Sequence, residues 1–110
     1  MTTVLLRFST RADKRLMAEF PNRTTHFGAK RGSTYLDHGD DEVRAAWLAR
    51  HEPRENWKDY GSAGALARWL LWEKKSLREA IEELNMRQRT WKFRSSSACA
   101  IFSISFWYSA

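Results

Sequence analysis

Residues 15–28 read as a β-hairpin, and that constrains the rest of the chain most. Arg15-Leu16-Met17-Ala18-Glu19-Phe20 partly alternates, Pro21-Asn22 offers a turn, and Arg23-Thr24-Thr25-His26-Phe27-Gly28 continues in β-favouring residues. A lone hairpin is marginal in water, so its apolar side must be covered by other parts of the chain. The residues after it read as helix. Asp41 to His51 is expected as helix one, capped by Asp40 or Asp37, with acidic residues at its positive end and Pro53 as its stop. Val43, Ala46, Trp47 and Arg50 share its face.

Helix two opens at Ser62 or Gly64 and carries Leu66, Trp69, Leu70 and Glu73 in register. Ser76-Leu77-Arg78-Glu79 has the form of a capping box and starts helix three, which runs to about Arg89. Its stripe is Leu77, Ala80, Ile81 and Leu84. The expected class is therefore α+β: an N-terminal hairpin packed against two or three helices. Residues 1–13 read as an N-terminal arm and 14–94 as a single small basic domain. From Ser95 to Ala110 the chain carries no charge, and its largely apolar run can add a strand. A docking strand, a membrane-touching tail and translated sequence outside the domain are all open readings of it.

With 110 residues there is room for one modest core. The charge balance, 19 Lys plus Arg against 13 Asp plus Glu, attracts phosphates, acidic proteins or anionic surfaces without choosing among them. Six Trp in so short a chain point to aromatic contacts beyond the core. The single cysteine, Cys99, fits a reducing compartment, and no stretch is long and apolar enough to cross a bilayer as a helix. An intracellular location, in cytoplasm or nucleus, is the resulting expectation. The basic, Ser/Thr-bearing start loosely resembles an organelle transit peptide, which is the weaker reading.

No catalytic constellation stands out, so the chain is read as a non-enzyme. His26, His38 and His51, with Asp37, Asp40 and Cys99, lack paired metal-ligand spacing, and neither metal nor cofactor is expected. No serine sits in a nucleophile elbow. Gly28-Ala29-Lys30-Arg31-Gly32-Ser33 lacks the spacing of a phosphate loop and reads as a solvated basic turn. More weight falls on the mixing of rings and cations. Arg54, Trp57, Lys58, Tyr60, Arg68, Trp72, Lys74 and Lys75, with Lys30 and Arg31, are the candidate binding residues. They could stack bases and neutralise phosphates, or anchor a protein interface, while Trp47 and Trp69 are better read as core.

Several pieces carry a family resemblance: His26-Phe27-Gly28-Ala29-Lys30, Tyr35 and His38, Ala49-Arg50-His51, then Arg54, Glu55, Asn56 and Trp57, and the run 63–72. In order and spacing, residues 14–90 or so resemble a small, poorly characterised family of nucleocytoplasmic large DNA viruses, especially those of algae, and of some algal genomes. The resemblance implies a short hairpin followed by helices, a virus-related or algal origin, and no reaction. A virion-associated place is implied by association. Such proteins usually end near a stretch like Trp91-Lys92-Phe93-Arg94, so residues 95–110 fall outside the likeness.

Two functions compete at this point. The leading expectation is a structural or adaptor protein docking onto a larger, virus-related assembly through protein partners. The alternative is a nucleic-acid-binding module using a basic-aromatic surface.

Overall fold

A computed structural model of the protein describes residues 2–95. The expected hairpin forms β2 (Lys14–Glu19) and β3 (Thr24–Ala29), paired antiparallel with Leu16 opposite Phe27 and Ala18 opposite Thr25. The Phe20 N–H donates to the Arg23 carbonyl at 2.8 Å and closes the Pro21-Asn22 turn.

The covering surface has two parts. On one side of β2, the first residues are not an arm but a strand, β1 (Thr2–Phe8), antiparallel to β2 with Leu6 opposite Ala18. Beyond β1 lies β4 (Trp91–Ser95), parallel to it, with Val4 opposite Phe93, so the sheet order is β3-β2-β1-β4. A parallel partner needs a crossover, and the helices between β3 and β4 supply it. The apolar stretch expected as a strand within 98–108, and Cys99, lie outside the described residues.

The last two helices pack on one face of this sheet. α1 (Tyr35–His38) is a single turn, closed by Gly39 in the left-handed region at φ 60°. α2 (Asp41–His51) has the expected bounds. Asp40 caps it by accepting from the Glu42 and Val43 N–H groups, and a 3-10 turn over Glu52–Arg54 comes next. Ser62 caps α3 (Ala63–Leu71) and Ser76 caps α4 (Leu77–Arg87), each accepting from the N–H three residues on.

Between sheet and helices lies the core: Val4, Leu6, Leu16, Ala18, Phe27 and Phe93 from the strands, against Leu66, Trp69, Leu70, Leu77, Ala80 and Leu84 from α3 and α4. Gly28 explains how closely α3 approaches. A Cβ there would stand 2.7 Å from Leu71 Cδ1, and its φ of +79° already excludes most side chains. On the other face, Leu5 is 37% exposed and Arg7 pairs with Glu19 at 2.9 Å.

Two details fix the periphery. Asn85 acts as a substitute strand along β4: its Nδ2 donates to the Phe93 carbonyl at 3.0 Å, and its Oδ1 accepts from the Phe93 N–H at 2.8 Å. This satisfies groups that an edge strand would otherwise present to solvent. α2, by contrast, has no buried residue. Its stripe is held by rings, with Trp47, read from the sequence as core, half-buried against the core. Trp47 stacks on Trp72 at 4.8 Å between centroids, His51 stacks on Trp47 at 4.1 Å, and Val43 stays 43% exposed. Among the described residues no helix is long and apolar enough to cross a membrane.

Candidate nucleic-acid interface

Three chain segments far apart in sequence meet at one end of the sheet. The turn between β2 and β3 brings Phe20 and Arg23. The loop before α3 brings Lys58, Asp59 and Tyr60, and the α4–β4 connection brings Arg87, Gln88, Arg89 and Trp91. Together they enclose a groove of about 590 Å³.

Each wall is fixed locally. In the loop, the Asn56 side chain accepts from the Lys58 N–H at 3.1 Å, and the Asp59 N–H donates to the Asn56 carbonyl at 3.1 Å. Its far end is tied to β3, where the Thr25 hydroxyl donates to the Gly61 carbonyl at 2.9 Å. Its near end is tied to α3, where Trp69 Nε1 donates to the Trp57 carbonyl at 2.8 Å. Gly61 leaves room for Arg23, which lies across it: a Cβ would collide with the Arg23 Nη2. In the third wall, Phe20 meets Trp91 edge-on at 5.2 Å, and the Thr2 N–H donates to the Thr90 carbonyl at 3.4 Å.

The charges divide by whether a carboxylate pairs with them, and Arg23 lies over the Phe20 ring at 5.8 Å. Arg87 is held, over the Trp69 ring at 4.3 Å and beside Glu83 at 2.7 Å. Arg23, Lys58 and Arg89 are exposed, and among the described residues no carboxylate forms an ion pair with any of them. Asp59 is the acidic group in the wall, and its carboxylate accepts from the Gly61 N–H at 3.3 Å. Tyr60 and Trp91 are half-buried, so each keeps ring surface open. Unpaired cations beside open rings can engage phosphate and a flat heterocycle together.

Of the residues singled out in the sequence, Lys58 and Tyr60 line this groove. The others are dispersed. Arg68 is turned inward: its guanidinium covers Trp69 at 4.2 Å and Trp57 at 4.9 Å, and it donates to Glu73. Arg44 donates to the same carboxylate at 2.9 Å. Burial pushes the Glu73 carboxyl up, but Arg68 and Arg44 outweigh it and hold the pKa below the ordinary carboxylate range. Trp72 is only 5% exposed, in the stack with Trp47. Lys30 and Arg31 border a separate hollow with Ala12 and Asp13. Arg54 is exposed in the 3-10 turn, Lys75 lays its stem near Gly39, and neither it nor Lys74 reaches the groove. Sequence reasoning missed Phe20, Arg23, Arg87, Gln88, Arg89 and Trp91. The basic-aromatic stretch at 91–94 was the available signal.

The histidines serve local structure. His26 Nδ1 and the Ser9 hydroxyl share a hydrogen bond of 2.7 Å, His38 Nδ1 accepts from the Asp40 N–H at 2.9 Å, and His51 stacks on Trp47. Among the described residues no three His, Cys, Asp or Glu side chains come together to hold a metal. Tyr35 donates to Asp41 at 2.5 Å, and that carboxylate, with burial, raises the phenol pKa.

A family model described as a family of unknown function (DUF5754) matches residues 4–51, which run from β1 through α2. The match takes in one wall of the groove and stops before the other two. No curated protein and no solved structure matches the chain.

Proposed function

We propose that this protein binds single-stranded nucleic acid in the groove between the β2–β3 turn, the loop before α3 and the α4–β4 connection. One observation carries the reading: among the described residues Arg23, Lys58 and Arg89 have no ion-pair partner, around a groove rimmed by Tyr60 and Trp91 with Asp59 in its wall. Phosphates supply the missing counter-charge and bases supply faces for the rings, whatever their sequence. A duplex keeps its faces stacked and offers only the charge.

Anisotropy titrations of labelled single-stranded and duplex DNA across a salt series test this. Single strands should bind more tightly, with log affinity falling linearly in log salt. Replacing Arg23, Lys58 and Arg89 together by Ala should flatten the slope by roughly two, at about 0.7 per phosphate released. A slope unchanged in the triple variant would rule the groove out.

A second reading, a structural adaptor docking onto a larger assembly, draws on α2. None of its residues is buried, and its Val43 and Trp47 line a cleft of about 530 Å³ with Ala63 and Ala67 of α3. A virus-related assembly is the extension that the family likeness offers. A monomer that binds no apolar dye would argue against docking through this face.

A further inference from the structure

Gln88 closes α4. Its backbone is extended, its N–H donates to the Leu84 carbonyl at 3.2 Å, and its Oε1 accepts from the Trp91 N–H at 2.6 Å. That last bond fixes the orientation of the amide, since only the oxygen can face an N–H donor. The nitrogen therefore faces away from the Trp91 N–H. Gln88 is 6% exposed, and its Nε2 is buried with no hydrogen-bond partner. A buried donor left unmade is costly, and such groups are few in folded proteins. Two others occur among the described residues, Trp57 Nε1 and Arg68 Nε, and neither residue lines the groove. Gln88 does, between Arg87 and Arg89.

We infer that the groove takes an unpaired base and that Gln88 Nε2 donates a hydrogen bond to a carbonyl oxygen on its edge, an inference that rests on the nucleic-acid reading above. A phosphate is the wrong occupant for this position. Its charge is best met by the exposed Arg23, Lys58 and Arg89, whereas burying it against a neutral amide would cost its hydration. A base carbonyl is neutral, accepts in the ring plane, and reaches the wall while its faces meet the open surfaces of Tyr60 and Trp91. The amide is covered in the free protein, so the base displaces part of the rim as it enters. Base carbonyls still accept from the grooves of a duplex, but the faces of stacked bases are closed to Tyr60 and Trp91, so the groove selects unpaired ones. Gln88 is thus a specificity-determining residue, and the cations supply affinity.

The test uses the full chain and three single strands of equal length: oligothymidylate, the same strand with difluorotoluene replacing thymine, and an abasic strand. Difluorotoluene keeps the ring shape and lacks the carbonyls. The wild type should prefer thymine over the isostere by about tenfold, one hydrogen bond's worth. Gln88→Glu keeps the acceptor for Trp91 and removes the donor, so its preference should fall to within about twofold. A wild-type preference absent from the start, or one surviving unchanged in Gln88→Glu, would overturn the inference. The wild-type comparison stands even if the variant does not fold. Salt-dependent binding of all three strands without preference would sink the Gln88 contact alone, and no binding to any strand would sink the nucleic-acid reading with it.

Discussion

A chain that begins at residue 9 is expected not to fold. Without residues 2–8 the sheet loses the strand between β2 and β4, and among the described residues β4 has no other strand neighbour. Val4 and Leu6 are fully buried, and each such side chain is worth about 1.5–3 kcal/mol of apolar burial. Phe93, also in the core, would lose the strand that holds it in place. Small domains hold only about 5–15 kcal/mol in total, so the loss of a central strand exceeds what remains. Far-UV circular dichroism of the truncated chain should show no cooperative thermal transition. A cooperative melt near that of the full chain would mean that β1 is peripheral after all.

The second large effect lies at Asp37. Its carboxylate accepts two hydrogen bonds from Arg15, at 2.8 and 2.7 Å, and a third from the Thr34 N–H at 2.8 Å. The Arg15 and Asp37 side chains are 5% and 6% exposed. This pair ties β2 to α1, whose Tyr35 and Leu36 also pack against the core. Asp37→Ala leaves a buried guanidinium without that carboxylate, at a cost of about 3–5 kcal/mol. In a domain of this size Tm should fall by on the order of 20 °C. A drop of only a few degrees would show the pair to be dispensable.

The same pair sets a pH dependence. Burial alone would raise the Asp37 pKa, but the bonds from Arg15 and Thr34 outweigh it and leave the carboxyl below its ordinary value. A carboxyl depressed in the folded state contributes fully above its unfolded pKa of about 3.9. Its contribution is lost as pH falls through the folded value. The wild type should therefore lose stability below about pH 4, and Asp37→Ala should lose less over the same range.

Local chemistry was legible where one short stretch held the whole signal. Asp40 and Pro53 bracket α2, Ser62 and Ser76 open α3 and α4, and Pro21-Asn22 turns the hairpin. The class could be built from those pieces. β1 was hidden because Arg7 and Arg11 made the start look like a polar arm. In fact Leu5 and Arg7 face outward and only Val4 and Leu6 are buried. β4 was hidden because its partner is the first strand, at the far end of the chain. The charged-aromatic run 54–75 looked like a single surface, but Glu73 draws Arg68 inward and Trp72 joins a ring stack. The groove could not be read linearly, because each of its walls is the end of a different element.

The most direct measurement is the map of amide chemical-shift changes when a short oligothymidylate is added to isotope-labelled protein at low salt. The proposed interface predicts that the largest changes fall on residues 20–23, 58–61 and 87–91, with the Gln88 side-chain amide among them. Changes centred on α2 and its cleft, with those three segments silent, would contradict it.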